Sequence, residues 1–261
     1  MSEITIKTSE EITKLREGGH ILALIMKQLV EAVKPGIKTQ DLENLAKKLM
    51  KEYQVEGSFL DFGEPPYPAV LCTSVNEEIV HCIPRDKEIK EGDIIGIDCG
   101  IWHKGLCTDM ARTAIAGKTS KEANKLVKVT RQALAIAKSQ VKPGNTVGDL
   151  GHAVQKYVEK NGFSVVRQLV GHGVGYKVHE PPRIPNFGRP GEGTEFKAGM
   201  VIAIEPMVNL GSYDIKVGSN GWDITTIDGS LSAHFEDTVV VTEKGCQTIT
   251  IKKSLRLSDS I

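Results

Sequence analysis

The sequence predicts a mixed α/β (α+β) fold in which two related halves pack about a pseudo-two-fold axis. Three observations predict it. Helical and strand-like patterns run in the order helix, helix, strands, and that order occurs twice. The stretch Val33-Lys34-Pro35-Gly36-Ile37-Lys38-Thr39-Gln40-Asp41-Leu42 aligns without gaps on Val141-Lys142-Pro143-Gly144-Asn145-Thr146-Val147-Gly148-Asp149-Leu150, with six of ten positions identical. At nearly the same offset, Lys90-Glu91-Gly92-Asp93-Ile94-Ile95-Gly96-Ile97-Asp98 falls on Lys197-Ala198-Gly199-Met200-Val201-Ile202-Ala203-Ile204-Glu205, matching Lys, Gly, apolar strand and terminal carboxylate. A period of this length is far too long for a solenoid and points to a duplication. The expected organisation is one domain over 1–261, with halves near 1–118 and 119–251 and a polar tail at 252–261.

Each element follows from local pattern. Thr8 and Glu11 have the spacing of a capping box, and Ile12, Leu15, Leu22, Ile25, Met26, Leu29 and Val33 then recur at helical spacing until Lys34-Pro35-Gly36 stops them. A second helix runs from Thr39 to about Tyr53. Thr119 with Glu122 caps a third that reaches about Val141, and Thr146 or Asn145 opens a fourth that ends near Gly162. Strand-like runs are Ala69 to Ser74, Ile94 to Asp98, Met110 to Ile115, Val201 to Ile204 and Thr238 to Thr242.

Bulk composition excludes several classes. With 261 residues, 40% hydrophobic and 25% charged, the chain has the make-up of an ordinary soluble globular protein. Thirty-three basic residues balance thirty-three acidic ones, so no global field favours nucleic acid or an anionic membrane. Five cysteines (Cys72, Cys82, Cys99, Cys107, Cys246), an odd set without Cys-x-x-Cys spacing, argue against a disulfide framework or a structural zinc site and for a reducing compartment. The apolar run Ile21 to Met26 is too short for a membrane span or a signal-peptide core, so a cytoplasmic location is expected.

Chemistry is suggested first by two aspartates. The apolar run Ile94-Ile95-Gly96-Ile97 ends in Asp98, and Asp109 follows eleven residues later. A hairpin turning at His103-Lys104-Gly105 would set the two opposite each other on one face, their Cβ atoms about 5 Å apart. Buried carboxylates persist by binding protons, cations or metal. No Lys or Arg occupies the same-face positions Gly96, Gly100, Ala111 and Thr113. Alone, the pair also fits a capped or solvated turn. The internal echo, however, puts Glu205 where Asp98 stands, and Glu236 precedes a strand as Asp109 precedes its own. Four acids converging on one axis are untenable without cations.

A histidine adds to this set. In Gly171-His172-Gly173-Val174-Gly175 the glycines permit close approach of backbone and ligand, and an imidazole beside hard carboxylates suits a first-row divalent metal. There is no dinucleotide fingerprint, P-loop or Gly-x-Ser-x-Gly elbow. Four carboxylates and one His suffice for two metal ions bridged by Asp109, Glu236 and a water; ions about 3.5–4 Å apart acidify that water and polarise a carbonyl. Hydrolysis of an amide is the natural chemistry. Two carboxylates about 5 Å apart would also suit a retaining glycosidase, which leaves His172 and Glu205 without a role.

Together with His81 in Val80-His81-Cys82-Ile83-Pro84, His179 in His179-Glu180-Pro181-Pro182, Ile204-Glu205-Pro206-Met207 and Gly221-Trp222-Asp223, these residues resemble the methionine aminopeptidase family of the type I class, from the first helix to Val241. The resemblance implies the pita-bread fold, two pseudo-symmetric halves around a central antiparallel sheet flanked by helices. It implies two divalent ions (Co, Mn, Fe or Zn) on Asp98, Asp109, His172, Glu205 and Glu236, with Glu205 also accepting a proton from the bridging water. It assigns His179 to the tetrahedral intermediate and His81 to the substrate near the scissile amide.

The substrate implied is the free N-terminus of a nascent peptide with a small second residue, its initiator Met held by Tyr67, Cys72 and Trp222, with Phe62 a further candidate. A monomer without nucleic-acid or membrane partners, working near the ribosomal exit tunnel, is expected from the same resemblance. Two departures are Cys82, where the family usually has Gly, and Val178, where it usually has Phe. The first would place a thiol near the mouth of the site, and the second would reshape a pocket wall. Proline-specific relatives of the fold carry a large N-terminal domain before the catalytic one, whereas here the catalytic pattern starts almost at residue 1, so that class is not expected. The type II class carries a helical insert, which the 31 residues between Glu205 and Glu236 cannot hold.

Overall fold

The computed structural model describes residues 3–251, so the tail expected at 252–261 lies outside the described residues. Its helices are α1 (Ser9–Ala32), α2 (Thr39–Glu52), α3 (Lys121–Gln140) and α4 (Val147–Lys160), each within two residues of the pattern-based expectation at either end. The capping box of α1 is formed, with Thr8 N donating to Glu11 Oε2 at 2.8 Å and Glu11 N to Thr8 Oγ1 at 3.3 Å. Thr146 caps α4 in the same way. The cap of α3 is Ser120, whose Oγ accepts from Ala123 N at 3.0 Å, and not Thr119. Thr119 instead donates its hydroxyl to Gly92 O, which fastens the preceding turn to the strand.

The helices cover a nine-stranded sheet in which every pairing is antiparallel. Its order is Glu56–Gly57, Ile94–His103, Leu106–Ile115, Glu236–Thr242, Val201–Ile204, Gly171–Gly173, Glu180–Ile184; Cys72–Val75 joins the second strand and Gly245–Thr248 the fourth. Alternation along Ile94–His103 sends Ile95, Ile97, Cys99 and Ile101 into a core with α1 and α2, and leaves Gly96, Asp98 and Gly100 on the other face. The strands Val201–Ile204 and Glu236–Thr242 do the same toward α3 and α4 through Ile202, Ile204, Val239 and Val241.

The order reads alike outward from the junction of Leu106–Ile115 with Glu236–Thr242: next on one side is the strand carrying Asp98, on the other the strand ending before Glu205. The aligned segments share geometry too. Gly36 and Gly144 have φ of +91° and +88°, Gly92 and Gly199 of +92° and +88°, and the isolated bridge Lys38 to Glu88 has its counterpart in Thr146 to Glu195.

The hairpin corrects one expectation. Its turn takes two residues, Lys104 (φ +50°) and Gly105 (φ +77°), both left-handed as a two-residue hairpin loop of the I′ kind demands, and His103 pairs with Leu106. Asp98 therefore pairs with Ala111, and Gly100 with Asp109. The aspartates are diagonal neighbours on one face, a spacing of roughly 7–8 Å, and not directly opposed. A register slip of two residues preserves the face, so both carboxyls still point the same way. Asp109 also lies inside its strand instead of preceding it. Among the described residues no helix is long and apolar enough to cross a membrane, and the five cysteines are free.

Candidate metal centre

Sheet register brings the predicted residues together. Ala111 pairs with Asp98 on one side and Glu236 on the other, so these two carboxylates flank it in adjacent strands while Asp109 sits one diagonal step away. Asp237 pairs with Ile204, which places Glu205 just past its strand end beside Glu236, and His172 pairs with Ala203 on the next strand. Asp98, Asp109, His172, Glu205 and Glu236 line one cleft with His81, His179, Tyr67, Cys72, Trp222 and Phe62. All ten site residues expected from the sequence thus face one space. Phe59 and Val178 line it as well; Phe59 belongs to no motif, and only its packing reveals it.

The cluster is buried and lacks a Lys or Arg partner among the described residues. Asp98 is 8% exposed, Asp109 3% and Glu236 2%. Asp98 Oδ1 and Glu236 Oε1 have no hydrogen-bond partner. Arg112, close in sequence, turns away: it donates to Glu236 O and pairs with Asp237 at 2.6 Å, and Lys138 also pairs with Asp237. Burial, reinforced by repulsion from Asp109, pushes Asp98, Glu205 and Glu236 well above the ordinary carboxylate range, and burial pushes Asp109 up to about 7. Without a cation the site must therefore retain protons.

His172 sharpens the argument. Its Nδ1 lies 2.9 Å from Gly173 O, and a carbonyl only accepts, so this contact assigns the proton to Nδ1 and leaves a lone pair on Nε2. That lone pair faces Glu205 Oε1 at 3.5 Å, which is acceptor against acceptor whenever Glu205 is ionised. Burial holds the imidazole down to about 3, so it does not supply the missing proton itself. Asp109, His172 and Glu236 each bring a ligand atom within 4.8 Å of the others. Hard oxygen donors, one tautomer-locked imidazole and orphaned oxygens fit divalent metal.

The backbone fixes the carboxylates of the cluster. Asp109 N donates to Thr238 Oγ1 at 2.9 Å, and Thr238 Oγ1 donates back to Asp109 O at 2.8 Å, which locks the two central strands at the cluster. Thr238 escaped the sequence reading, although it stands one same-face step after Glu236. Opposite Asp109 sits Gly100, where a Cβ would lie 2.2 Å from Ser58 Oγ, 3.0 Å from Phe59 Cε1 and 3.3 Å from Asp109 Oδ1. Gly100→Ala is expected to cost about 1–3 kcal/mol of stability through overpacking and to weaken metal binding by crowding Asp109. Thermal unfolding and calorimetric metal titration check it; unchanged values in both would refute the steric role.

The remaining polar residues are set by loops. His81 holds φ of +59°, a left-handed conformation for a side-chain-bearing residue, and such strain persists only where neighbours enforce it. Here Asp223 Oδ1 accepts from Ile83 N at 3.0 Å, Arg85 reaches Asp223 at 3.2 Å and also Glu78, and Lys87 pairs with Glu78 at 2.9 Å. Asp223 thus anchors the His81 loop while its neighbour Trp222 lines the wall, edge-on to Tyr67 at 5.1 Å. The ring of His179 stands 4.3 Å from that of His172 and 5.1 Å from Phe62. Its loop is held by Glu180, which accepts from Lys177 N at 3.0 Å and pairs with Lys7 at 2.6 Å. Cys82 does not open to the mouth, where the sequence placed it: it is fully buried, and burial pushes its thiol up to about 12, so it presents no reactive thiolate.

An antiparallel sheet carrying carboxylates and one imidazole on its inner face defines a metallopeptidase class of site, and residues 13–243 match metallopeptidase family M24. The chain belongs to this family; it is a hydrolase that uses divalent metal, and its fold is the pita-bread fold. Its relatives include the methionine aminopeptidase of Clostridium perfringens, 44% identical over 96% of this chain and 100% of that protein, and methionine aminopeptidase 1 of Bacillus subtilis, 42% identical over 95% and 99%. The crystal structure of methionine aminopeptidase from Thermotoga maritima superposes with a TM-score of 0.92 at 42% identity, covering 95% of this chain and 99% of that one. A prolidase from Pyrococcus horikoshii shares the fold alone, with a TM-score of 0.77 at 23% identity.

Proposed function

We propose that this chain removes the N-terminal methionine from newly made peptides whose second residue is small. The observation that carries the reading is register: Cys72 pairs directly with Asp98, so the apolar wall of Tyr67, Cys72 and Trp222 begins one strand from the acid cluster. An α-amine drawn to the carboxylates would lay its side chain against that wall. Tyr67 spends its hydroxyl on Leu71 O and Cys82 O, at 3.1 and 3.2 Å, and so offers the side chain a ring face and no polar atom.

Two divalent ions, of Co, Mn, Fe or Zn, on Asp98, Asp109, His172, Glu205 and Glu236 would supply an acidified water and a polarised carbonyl. Glu205 takes the proton released by the attacking water and delivers it to the leaving nitrogen; its side chain is more exposed than that of Glu236, 13% against 3%, as a proton carrier requires. His179 donates to the oxygen that gains charge, and His81 hydrogen-bonds the substrate beside the leaving nitrogen. Phe62 stacks edge-on to His179 and fixes its plane. Val178, 3% exposed in the pocket wall, leaves more room than an aromatic residue would.

The same reading makes the chain one catalytic domain of two halves, near 1–118 and 119–251. It acts in the cytoplasm as a monomer, on nascent N-termini close to the ribosome. Balanced charge and the lack of a membrane-crossing helix among the described residues support that setting.

The test is release of free methionine by chelator-stripped protein after each of Mn, Fe, Co and Zn is restored. Met-Gly-x peptides are expected to be cleaved and Met-Leu-x peptides to resist. No release with any metal, or faster cleavage of Xaa-Pro peptides, would overturn the assignment.

A further inference from the structure

We propose that His234 is a positioning residue that donates a hydrogen bond from Nε2 to Glu205 and holds this carboxylate between two imidazoles. The inference rests on the metal centre described above. His234 is 2% exposed, and its Nε2 has no hydrogen-bond partner. Leaving such a buried donor unmet costs about 1–3 kcal/mol, so an apolar side chain would serve a merely structural role better. The carboxylate oxygens in reach are Glu205 Oε2 at 3.8 Å and Glu236 Oε2 at 4.0 Å. With a cation bound both are carboxylates and only accept, which puts a proton on Nε2. Closing to hydrogen-bond distance requires a movement of about 1 Å, which the two glutamates can supply by drawing in around a cation.

The surrounding backbone aims the ring. His234 ends the strand Ser232–His234 and pairs with Met207, so it lies two residues from Glu236 in its own chain segment and across from the segment that has just left Glu205. Its N donates to Thr113 Oγ1 at 2.9 Å, and Thr113 Oγ1 donates to His234 O at 2.8 Å. Thr113 stands on the face of the hairpin that carries Asp109 and Ala111. Two hydrogen bonds thus tie this residue to the strand that supplies Asp109.

Glu205 is consequently asymmetric. Its Oε1 faces the Nε2 lone pair of His172 at 3.5 Å, and its Oε2 faces the Nε2–H of His234. One oxygen is left to share a cation with His172, and the other is fixed by a donor. The proton that Glu205 accepts is then confined to one place, and its carboxylate is kept from rotating between strands.

The experiment titrates full-length apo-protein with Co²⁺ by calorimetry and measures Met-Gly-x turnover for the wild type, His234→Leu and His234→Gln. His234→Leu is expected to bind Co²⁺ about 10–100-fold more weakly and to lose kcat with KM nearly unchanged. His234→Gln keeps an N–H at nearly the same place and is expected to restore most of both. Leucine affinity within twofold of the wild type, or glutamine as impaired as leucine, overturns the inference. His234→Met replaces the leucine variant if that one does not fold. A wild type that binds no divalent ion overturns the metal centre itself; a lost contrast between variants in a wild type that binds metal overturns the role of His234 alone.

Discussion

Asp109→Asn is expected to abolish divalent-metal uptake and to lower kcat/KM by at least about 10³-fold, a loss of about 4 kcal/mol in transition-state stabilisation. The substitution is isosteric and leaves the fold in place. Asp109 N and O are both bound to Thr238, and Oδ1 accepts from Met110 N at 2.9 Å, none of which needs a negative charge. What changes is the donor set, since Asp109 is one of the three residues whose possible ligand atoms lie within 4.8 Å of one another. An amide binds hard divalent ions more weakly than a carboxylate and cannot bridge two of them. Metal content per chain, circular dichroism and turnover should be read together. A variant that folds, takes up no metal and does not turn over is the expected result; retained turnover would sink the bridging role.

Lys7→Met is expected to cost about 3–5 kcal/mol of stability at neutral pH, because it strips the cation from a buried pair. The side chains of Lys7 and Glu180 are 1% and 4% exposed at an N–O separation of 2.6 Å. Thr5 Oγ1 also donates to Glu180 Oε2 at 2.7 Å, and Lys177 N to Oε1, so the N-terminal segment clamps the loop that presents His179. Burial pushes the Glu180 carboxyl up, and hydrogen bonds from Lys7, Thr5 and Lys177 more than offset it, leaving it below its usual value of 4.5. A depressed folded-state value gives stability that is present above the unfolded value and lost as pH falls through the folded one. In Lys7→Met the orphaned carboxyl shifts the other way, so its penalty is relieved as it protonates. The gap between wild type and variant should therefore be widest near pH 7 and narrow below about pH 4, measured by denaturant unfolding at both pH values. A gap that widens on acidification would contradict the pairing. Turnover should fall with stability restored by mild conditions, since His179 rides on the same loop.

Much of the centre was legible in the chain. Asp98 could be singled out because a carboxylate ends a run of isoleucines, and Glu205 because it repeats that event one half later. The α-helices were readable from caps and apolar spacing, local features that do not depend on the rest of the molecule. The hairpin register was not. A two-residue turn at His103-Lys104 or at Lys104-Gly105 gives registers two residues apart, and the choice moves Asp109 from beside Asp98 to the diagonal step where Gly100 leaves it room. His234 and Thr238 escaped for a similar reason. Each is an unexceptional residue in a strand, and becomes informative only when a neighbour distant in sequence, Glu205 or Asp109, is found against it.

Sequence alone pointed two carboxylate-tipped strands, a glycine-flanked histidine and two further acids at one place, because burying such carboxylates apart from cations is costly, and the structure gathers them in one cleft. It also determined the doubled order of helices and strands, which arises from local propensity and repetition. Tertiary structure decided which lone pairs face one another, where Glu205 lies between His172 and His234, and that Cys82 is sealed inside and not at the mouth. Those outcomes depend on sheet register and side-chain packing between residues from about thirty to more than a hundred positions apart, and no local pattern encodes separations of that kind to within an ångström.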